Sequence, residues 1–288
     1  MDTDPSSAPP TAAYRALLDD TSPVVRAALV AEFARHSAAV VPFLQEIARG
    51  KERSLAWHAA WFLQQLNSGD PVAEFRKFIR SQNHELEAGA LLLSRIHSPR
   101  LDVDACRAVL DEIASRCREL MLDPSSARDK CRVLNRVLFH EYGFRGNVEH
   151  YTDPLNSFLD EVLSRRKGLP ITLSILYVLV AQRIGLILEP VGLPGHFVAG
   201  CFSEDDPFFI DAFDQGALRT PAELLAVLRD HHLAPTISDL APTSVREVLC
   251  RCCRNLSHHY AIAQEELQAQ LYTSLVGEFE STRERHAS

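Results

Sequence analysis

His196 opens one expected strand, directly after Gly195, and Asp211 closes the next. Hairpin pairing of those strands brings the two side chains close across a sheet. A carboxylate that holds an imidazole in one tautomer is how a general base is prepared. The same pair also occurs as a buried hydrogen-bonded cap on strand ends, so a catalytic and a structural reading both stand. A base needs a nucleophile. Thr172 falls in the first turn of a helix expected to begin at Pro170, where free N–H groups stabilise an anion. Its hydroxyl either attacks, if His196 reaches it, or bonds to backbone, the usual fate of Thr at helix starts. No cysteine lies between Cys131 and Cys201. Cys201 follows His196 on the same strand at an odd offset, which turns it to the other face of the sheet. Cys131 precedes an apolar stripe and reads as core or as a helix-start thiol.

Arg165-Arg166-Lys167 is a basic run just before the same helix, and Asn156 lies shortly upstream. Together they either line a cleft and hold a carboxylate or phosphate, or form a solvated helix end whose cations suit a C-terminus. Cys250, Cys252, Cys253, His258 and His259 crowd one helix near the end of the chain. A structural zinc site wants four ligands in closed tetrahedral geometry, and no second cysteine pair accompanies these. Helix packing is the expected role, with no metal and no cofactor. Trp57 and Trp61, four apart on a helix, are expected to pack in a core.

The elements that position these residues follow from periodicity. Pro170 to Ile184 is apolar almost all round, so it is a buried helix at the centre of a domain, with His196 and Asp211 expected to face its start. Strands are expected at 186–193, 197–202 and 207–213, with a turn at 203–206. One buried helix against an antiparallel sheet makes an α+β domain. The first 120 residues read as helical. Segments beginning at Leu17, Ile47 and Phe78 each carry a polar turn and then an amphipathic helix, with Val25, Leu55 and Leu86 in matching places. That spacing resembles HEAT-type repeats, in which each helix pair buries its face against a neighbour; a plain helical bundle is the alternative. Further amphipathic helices are expected at 101–121, over the Val133, Leu134, Val137 and Leu138 stripe, and from Ser244 onward.

The chain has 288 residues, 46% apolar and 24% charged, in the range of soluble globular proteins. A net charge of −8 argues against a general nucleic-acid binder. Residues 1–12 have neither a basic start nor an apolar segment, so they are expected to be disordered and not a signal peptide. The stretch from Leu173 to Ala181 is too short to span a bilayer. The seven cysteines have no framework spacing. Reduced thiols and a cytoplasmic location are the expectation.

The blocks ELEAGALLLSRIHSPRLD (85–102), LNRVLFHEYGFRGN (134–147), DPLNSFLDEVLSRRKGLPITLSILYVLVAQRIGL (153–186), VGLPGHFVAG (191–200) and FIDAF (209–213) closely resemble the SirB-type family of bacterial transglutaminase-like proteins. VLCRCCRNLSHHY (248–260) is similar to the opening of that family's TPR-like end. The resemblance implies a papain-like core, in which a Cys sits at the helix start and His and Asp follow on two neighbouring strands. Aligned through Arg183-Ile184-Gly185, the nucleophile's place falls near Pro170, which has no usable side chain. The implied organisation is a disordered stretch 1–12, a HEAT-like region 13–122, a transglutaminase-like core 123–240 and a TPR-like tail 241–288. The implied function is a non-catalytic or regulatory protein that binds another protein. The alternative is a hydrolase or acyltransferase that uses His196 and Asp211 with a hydroxyl or water.

Overall fold

A computed structural model describes residues 11–67, 70–81, 83–122, 124–203, 206–230 and 236–287. The chain divides into two compact units, Met1–Pro71 and Val72–Ser288. The helical region expected over 13–122 is therefore shared between them. The disorder expected over 1–12 falls mostly outside the described residues, but Thr11 and Ala12 are described and belong to the first helix.

The first unit holds α1 (Thr11–Leu17), α2 (Pro23–Arg35), α3 (Ser37–Ala48) and α4 (Arg53–Asn67). Ser22 precedes Pro23 at the first helical position of α2, but its side chain makes no cap bond. Instead Asp20 Oδ1 accepts from Ser22 N at 2.7 Å, and Arg26 Nε donates to Asp20 O at 2.9 Å. The core is a short aromatic chain, Tyr14 against Phe33 and Phe33 against Phe62, both edge-on, with Leu18, Leu29, Leu44 and Ala59 around it. Trp61 packs beside this cluster, but Trp57 is 61% exposed and does not join the core. Leu55, Ala59, Phe62 and Leu66 set the buried face of α4. Trp57 lies two positions from both Leu55 and Ala59, about 200° around the helix from each, which turns it outward.

The second unit takes α5 (Pro71–Arg80) from its second residue on, followed by α6 (Leu86–His97), α7 (Val103–Leu120) and α8 (Ala127–Asn135). Glu85, Asp102 and Ser126 cap the last three with side-chain oxygens that accept from first-turn N–H groups. α8 continues into a π-helical turn, Arg136–Glu141, closed by Tyr142 N donating to Val137 O at 2.9 Å. β1 (Arg145–Gly146) comes next, then a 3-10 turn (Pro154–Ser157), α9 (Leu159–Arg165) and β2 (Lys167–Gly168), which pairs in parallel with β1. α10 (Pro170–Arg183) starts where the sequence places it, and every residue from Pro170 to Ala181 is buried. Each Leu, Ile or Val so placed contributes about 1.5–3 kcal/mol relative to exposure.

A four-stranded antiparallel meander follows in chain order: β3 (Glu189–Leu193), β4 (His196–Cys201), β5 (Phe208–Asp211) and β6 (Ala217–Arg219). Sequence patterning missed β6 and the β1–β2 pair because two or three residues are too few for alternation to show. Of the turn expected at 203–206, Glu204 and Asp205 lie outside the described residues. Phe197, Ala199, Cys201, Phe208 and Ile210 face the large core that contains α10. Val191, Leu193, Val198 and Phe209 face the opposite way and pack with Leu224 and Leu228 of α11 (Pro221–Asp230) and with Leu240 of a 3-10 turn (Ile237–Leu240). The unit ends in α12 (Val245–Ile262) and α13 (Glu266–Ala287). In α13, Tyr272, Leu275 and Phe279 form the buried stripe, and Leu267 in the first turn is 80% exposed. The folded units are helix-rich with a small sheet, an α+β arrangement. Among the described residues no helix is long and apolar enough to cross a membrane.

Candidate functional site

His196 Nε2 and Asp211 Oδ2 lie 2.7 Å apart. A carboxylate only accepts, so Nε2 carries the hydrogen in this bond. Neutral imidazole then presents Nδ1 as an acceptor, and Nδ1 has no hydrogen-bond partner among the described residues. The side chains are 21% and 11% exposed, so the pair lies at the rim of the fold.

Both residues are fixed by their turns. Between β3 and β4 the chain reverses at Pro194-Gly195, where Gly195 takes φ 68°, open to glycine without strain. Arg251 of α12 then closes the hairpin mouth. Its Nη2 donates to Leu193 O at 2.7 Å and to His196 O at 2.9 Å, and its guanidinium lies over the Phe197 ring, 5.5 Å from the centroid. After β5, Asp211 Oδ1 accepts from Phe213 N at 3.1 Å and Asp214 N at 3.2 Å, an Asx turn that orients the carboxylate. Asn135 ties that turn to the helices: its Nδ2 donates to Gly216 O at 2.7 Å, and its Oδ1 accepts from the Tyr177 hydroxyl of α10 at 2.9 Å. Arg251, Asn135 and Phe213 carry no sequence signal for these roles, because each acts on a segment far along the chain.

Alternation along β4 and β5 starts His196 and Asp211 from the sheet face opposite α10. The group against the imidazole is Phe213, edge-on with ring centroids 6.4 Å apart. Phe213 also meets Tyr151 at 6.1 Å and presses so close to Gly146 that a Cβ there would sit 2.5 Å from its ring. Gly146 is needed for that approach. Because Gly146 pairs with Gly168, two residues before Pro170, the Phe213 ring stands between the imidazole and the strand pair that leads into α10.

The start of α10 is sealed. Thr172 is 1% exposed, and its hydroxyl donates to Asn156 O at 2.8 Å. Ser174 donates to Phe197 O at 3.3 Å, which lays the first turns of α10 along the beginning of β4. Asn156 is fully buried. Its Oδ1 accepts from Asn147 Nδ2 at 2.9 Å, and its Nδ2 donates to His150 O at 2.8 Å and Tyr151 O at 3.3 Å. It organises the 147–156 loop and presents no atom to a cleft. The basic run disperses. Arg165 pairs with Asp153. Arg166 adopts φ 59° and lays its guanidinium over Phe144 at 4.6 Å and Tyr142 at 5.3 Å. Lys167 Nζ is 3.7 Å from Glu149. Arg165 and Arg166 each also bury one guanidinium nitrogen without a partner.

All seven cysteines are buried, and none forms a disulfide. Cys201 packs on the α10 face, as its odd offset from His196 requires. Burial, the largest cause in each case, pushes Cys117 and Cys252 up to about 12 and Cys250 up to about 11, and raises Cys106 and Cys253 as well. A thiol held neutral is a poor nucleophile. No group of three or more His, Cys, Asp or Glu side chains suited to a metal occurs among the described residues. The α12 cysteines are spent on packing between α12 and the core.

His259 of α12 is 4% exposed, and its Nδ1 is buried without a hydrogen-bond partner. Burial first, then the neighbouring His258, lower its pKa, with Asp153 opposing. The unfolded chain therefore takes up a proton that the folded state resists. Its contribution is intact above the ordinary imidazole value of about 6.5 and is lost as pH falls through the lowered folded value. Thermal melts across that window are expected to show an acid fall in stability that His259→Phe flattens. An unchanged acid limb in the variant would remove His259 as its cause.

With this geometry in hand, three comparisons bear on ancestry. The family profile described as the transglutaminase-like superfamily matches residues 104–254. The UPF0162 protein of Xylella fastidiosa (strain 9a5c) is 34% identical over 187 residues, covering 61% of this chain and 65% of that protein. The UPF0162 protein of Vibrio cholerae is 27% identical over 131 residues, covering 45% and 48%. F-box only protein 21 of Mus musculus is 35% identical over 132 residues, covering 43% of this chain and 21% of that protein. The chain thus spans less than two thirds of these relatives' length. No solved structure gives a significant match.

Proposed function

The chain belongs to the transglutaminase-like superfamily, and from that premise we propose that it is a non-catalytic regulatory protein that acts by binding another protein in the cytoplasm. The observation that carries this reading is the sealed start of α10. Where the superfamily pattern wants a nucleophile, Pro170 occupies the first helical position, and Thr172 is buried with its hydroxyl committed to Asn156 O. The burial of all seven thiols supports it further, since a nucleophilic thiol must reach its substrate. In this reading the N-terminal helices form a HEAT-like arm, α12 and α13 a TPR-like tail, and the whole is of the SirB type. Helical arms of that kind supply binding surface and not chemistry.

A second reading is favoured by one observation: among the described residues His196 Nδ1 has no hydrogen-bond partner, while Nε2 is held by Asp211. That is the arrangement of a general base, which would draw a proton from water in a hydrolase or acyltransferase. The test separates the two. Peptide cleavage and amine incorporation are measured before and after treatment with iodoacetamide, and again in His196→Ala. The expected result is no activity in any arm and slow alkylation of the native chain. Activity abolished by alkylation and mapped to one cysteine would sink the non-catalytic reading. Activity that survives alkylation but disappears in His196→Ala, with the fold intact, would install the water mechanism.

A further inference from the structure

A cavity of about 450 Å³ opens where four elements of the second unit meet: the end of α6, the Asp153–Leu155 turn, the end of α12 and the start of α13. Its size is that of a small-molecule site. Ile96, Pro154, Leu155 and Leu271 give it apolar walls, and His97, Asp153, Tyr260, Glu265, Gln268 and Tyr272 supply polar groups. Neither the His196–Asp211 pair nor the start of α10 lines it.

The tyrosines make this a built site. Tyr272 is 2% exposed and Tyr260 6%, and their rings stack in parallel, 1° between planes and 5.6 Å between centroids. Neither hydroxyl has a hydrogen-bond partner among the described residues, and neither is sealed inside the protein. Buried hydroxyls are normally satisfied by protein or by water, so two that open together on one cavity are poised for a ligand. The charges select its class. Asp153 is balanced by Arg165, and its Oδ1 caps Leu155 N. Glu265 has no ion-pair partner among the described residues. Among the described residues no Lys or Arg lines the space, so Asp153 and Glu265 are the full charges that face it. Burial first, then Glu265 and Asp153, push the Tyr260 phenol up to about 12.

We propose that this cavity binds an organic cation, a primary ammonium or a guanidinium on a short alkyl chain. The charged head would pair with Glu265 and the phenol oxygens, which accept as well as donate, and the chain would lie between the Tyr260–Tyr272 stack and Leu155 and Leu271. The head is carried either by a free amine or by a Lys or Arg side chain of a peptide, and the shared chemistry is the cation. This inference does not depend on the reading of His196 and Asp211 and would stand if that reading failed.

The test is calorimetric titration of the full chain with n-butylamine, agmatine, the peptide Gly-Arg-Gly and, as an anion of like size, butyrate. The cations are expected to bind and butyrate not to. Glu265→Gln is expected to weaken cation binding about tenfold, the equivalent of ~1.4 kcal/mol. Glu265 is exposed, so this variant leaves the fold intact. Tyr272→Phe is expected to weaken it by a smaller factor, with an unchanged melting temperature as the control. Tighter binding of agmatine identifies a free amine, and tighter binding of Gly-Arg-Gly a peptide side chain. Equal heats for butylamine and butyrate, no heat with any cation, or affinity unchanged in Glu265→Gln would overturn the proposal.

Discussion

Asn156→Ala is expected to lower the free energy of unfolding by about 3–4 kcal/mol, more than any other single polar substitution near the site. The side chain is fully buried and makes bonds to Asn147, His150 O and Tyr151 O. Truncation leaves the buried Asn147 amide donor without its partner, at about 1–3 kcal/mol before relaxation, and takes a donor from the partly buried carbonyls of His150 and Tyr151, at a smaller cost each. The loop that Asn156 holds carries Tyr151, which packs on Phe213, the ring beside His196. Its own carbonyl accepts from Thr172 and from Leu169 N. Urea unfolding should therefore show the loss, and hydrogen exchange should show it first at the start of α10. A loss below about 1 kcal/mol would mean that water replaces the amide and that the loop is not organised by it.

Asp211→Ala is expected to cost about 2 kcal/mol, discounted because the carboxylate is not wholly buried, while Asp211→Asn should cost less than about 1 kcal/mol. Alanine removes the acceptor for His196 Nε2 and for Phe213 N and Asp214 N. Asparagine keeps an oxygen for the turn but presents an amide to Nε2. Two donors then face each other unless the imidazole moves its proton to Nδ1. The same substitution thus separates structure from chemistry. Nitrogen NMR of the ring should report the Nδ1–H tautomer in Asp211→Asn, and any activity that uses Nδ1 as a base should vanish there with stability nearly intact. An Nε2–H tautomer in the variant would show that Asp211 does not choose the proton's position.

Much of this arrangement was determined by local sequence, because its causes are local. Pro170 opens α10 since proline suits a first helical position and the run behind it is apolar on every side, which water does not tolerate. β4 and β5 follow from turn residues and apolar runs, and the Cys201 side chain turns from His196 because side chains alternate along a strand. The His196–Asp211 pairing needed only a hairpin, the shortest-range contact a sheet offers.

What tertiary structure alone decided involves partners distant in the chain. Asn156 stood open as a cleft residue or part of a helix end, and Thr172 as a nucleophile or a backbone-bonded hydroxyl; packing turned both inward, and the Thr172 hydroxyl took the backbone bond, to the Asn156 carbonyl. Arg165, Arg166 and Lys167 are adjacent in sequence, yet a left-handed residue between a helix and a strand sends them to Asp153, an aromatic pair and Glu149. Arg251 reaches the hairpin mouth from α12, and Phe213 settles against Gly146 because no Cβ stands in its way. The Tyr260–Tyr272 cavity exists only because α12 and α13 fold back on each other beside the Asp153–Leu155 turn. Periodicity reports which face of an element avoids water. It carries no information about which distant element will cover that face, and every one of these contacts depends on that choice.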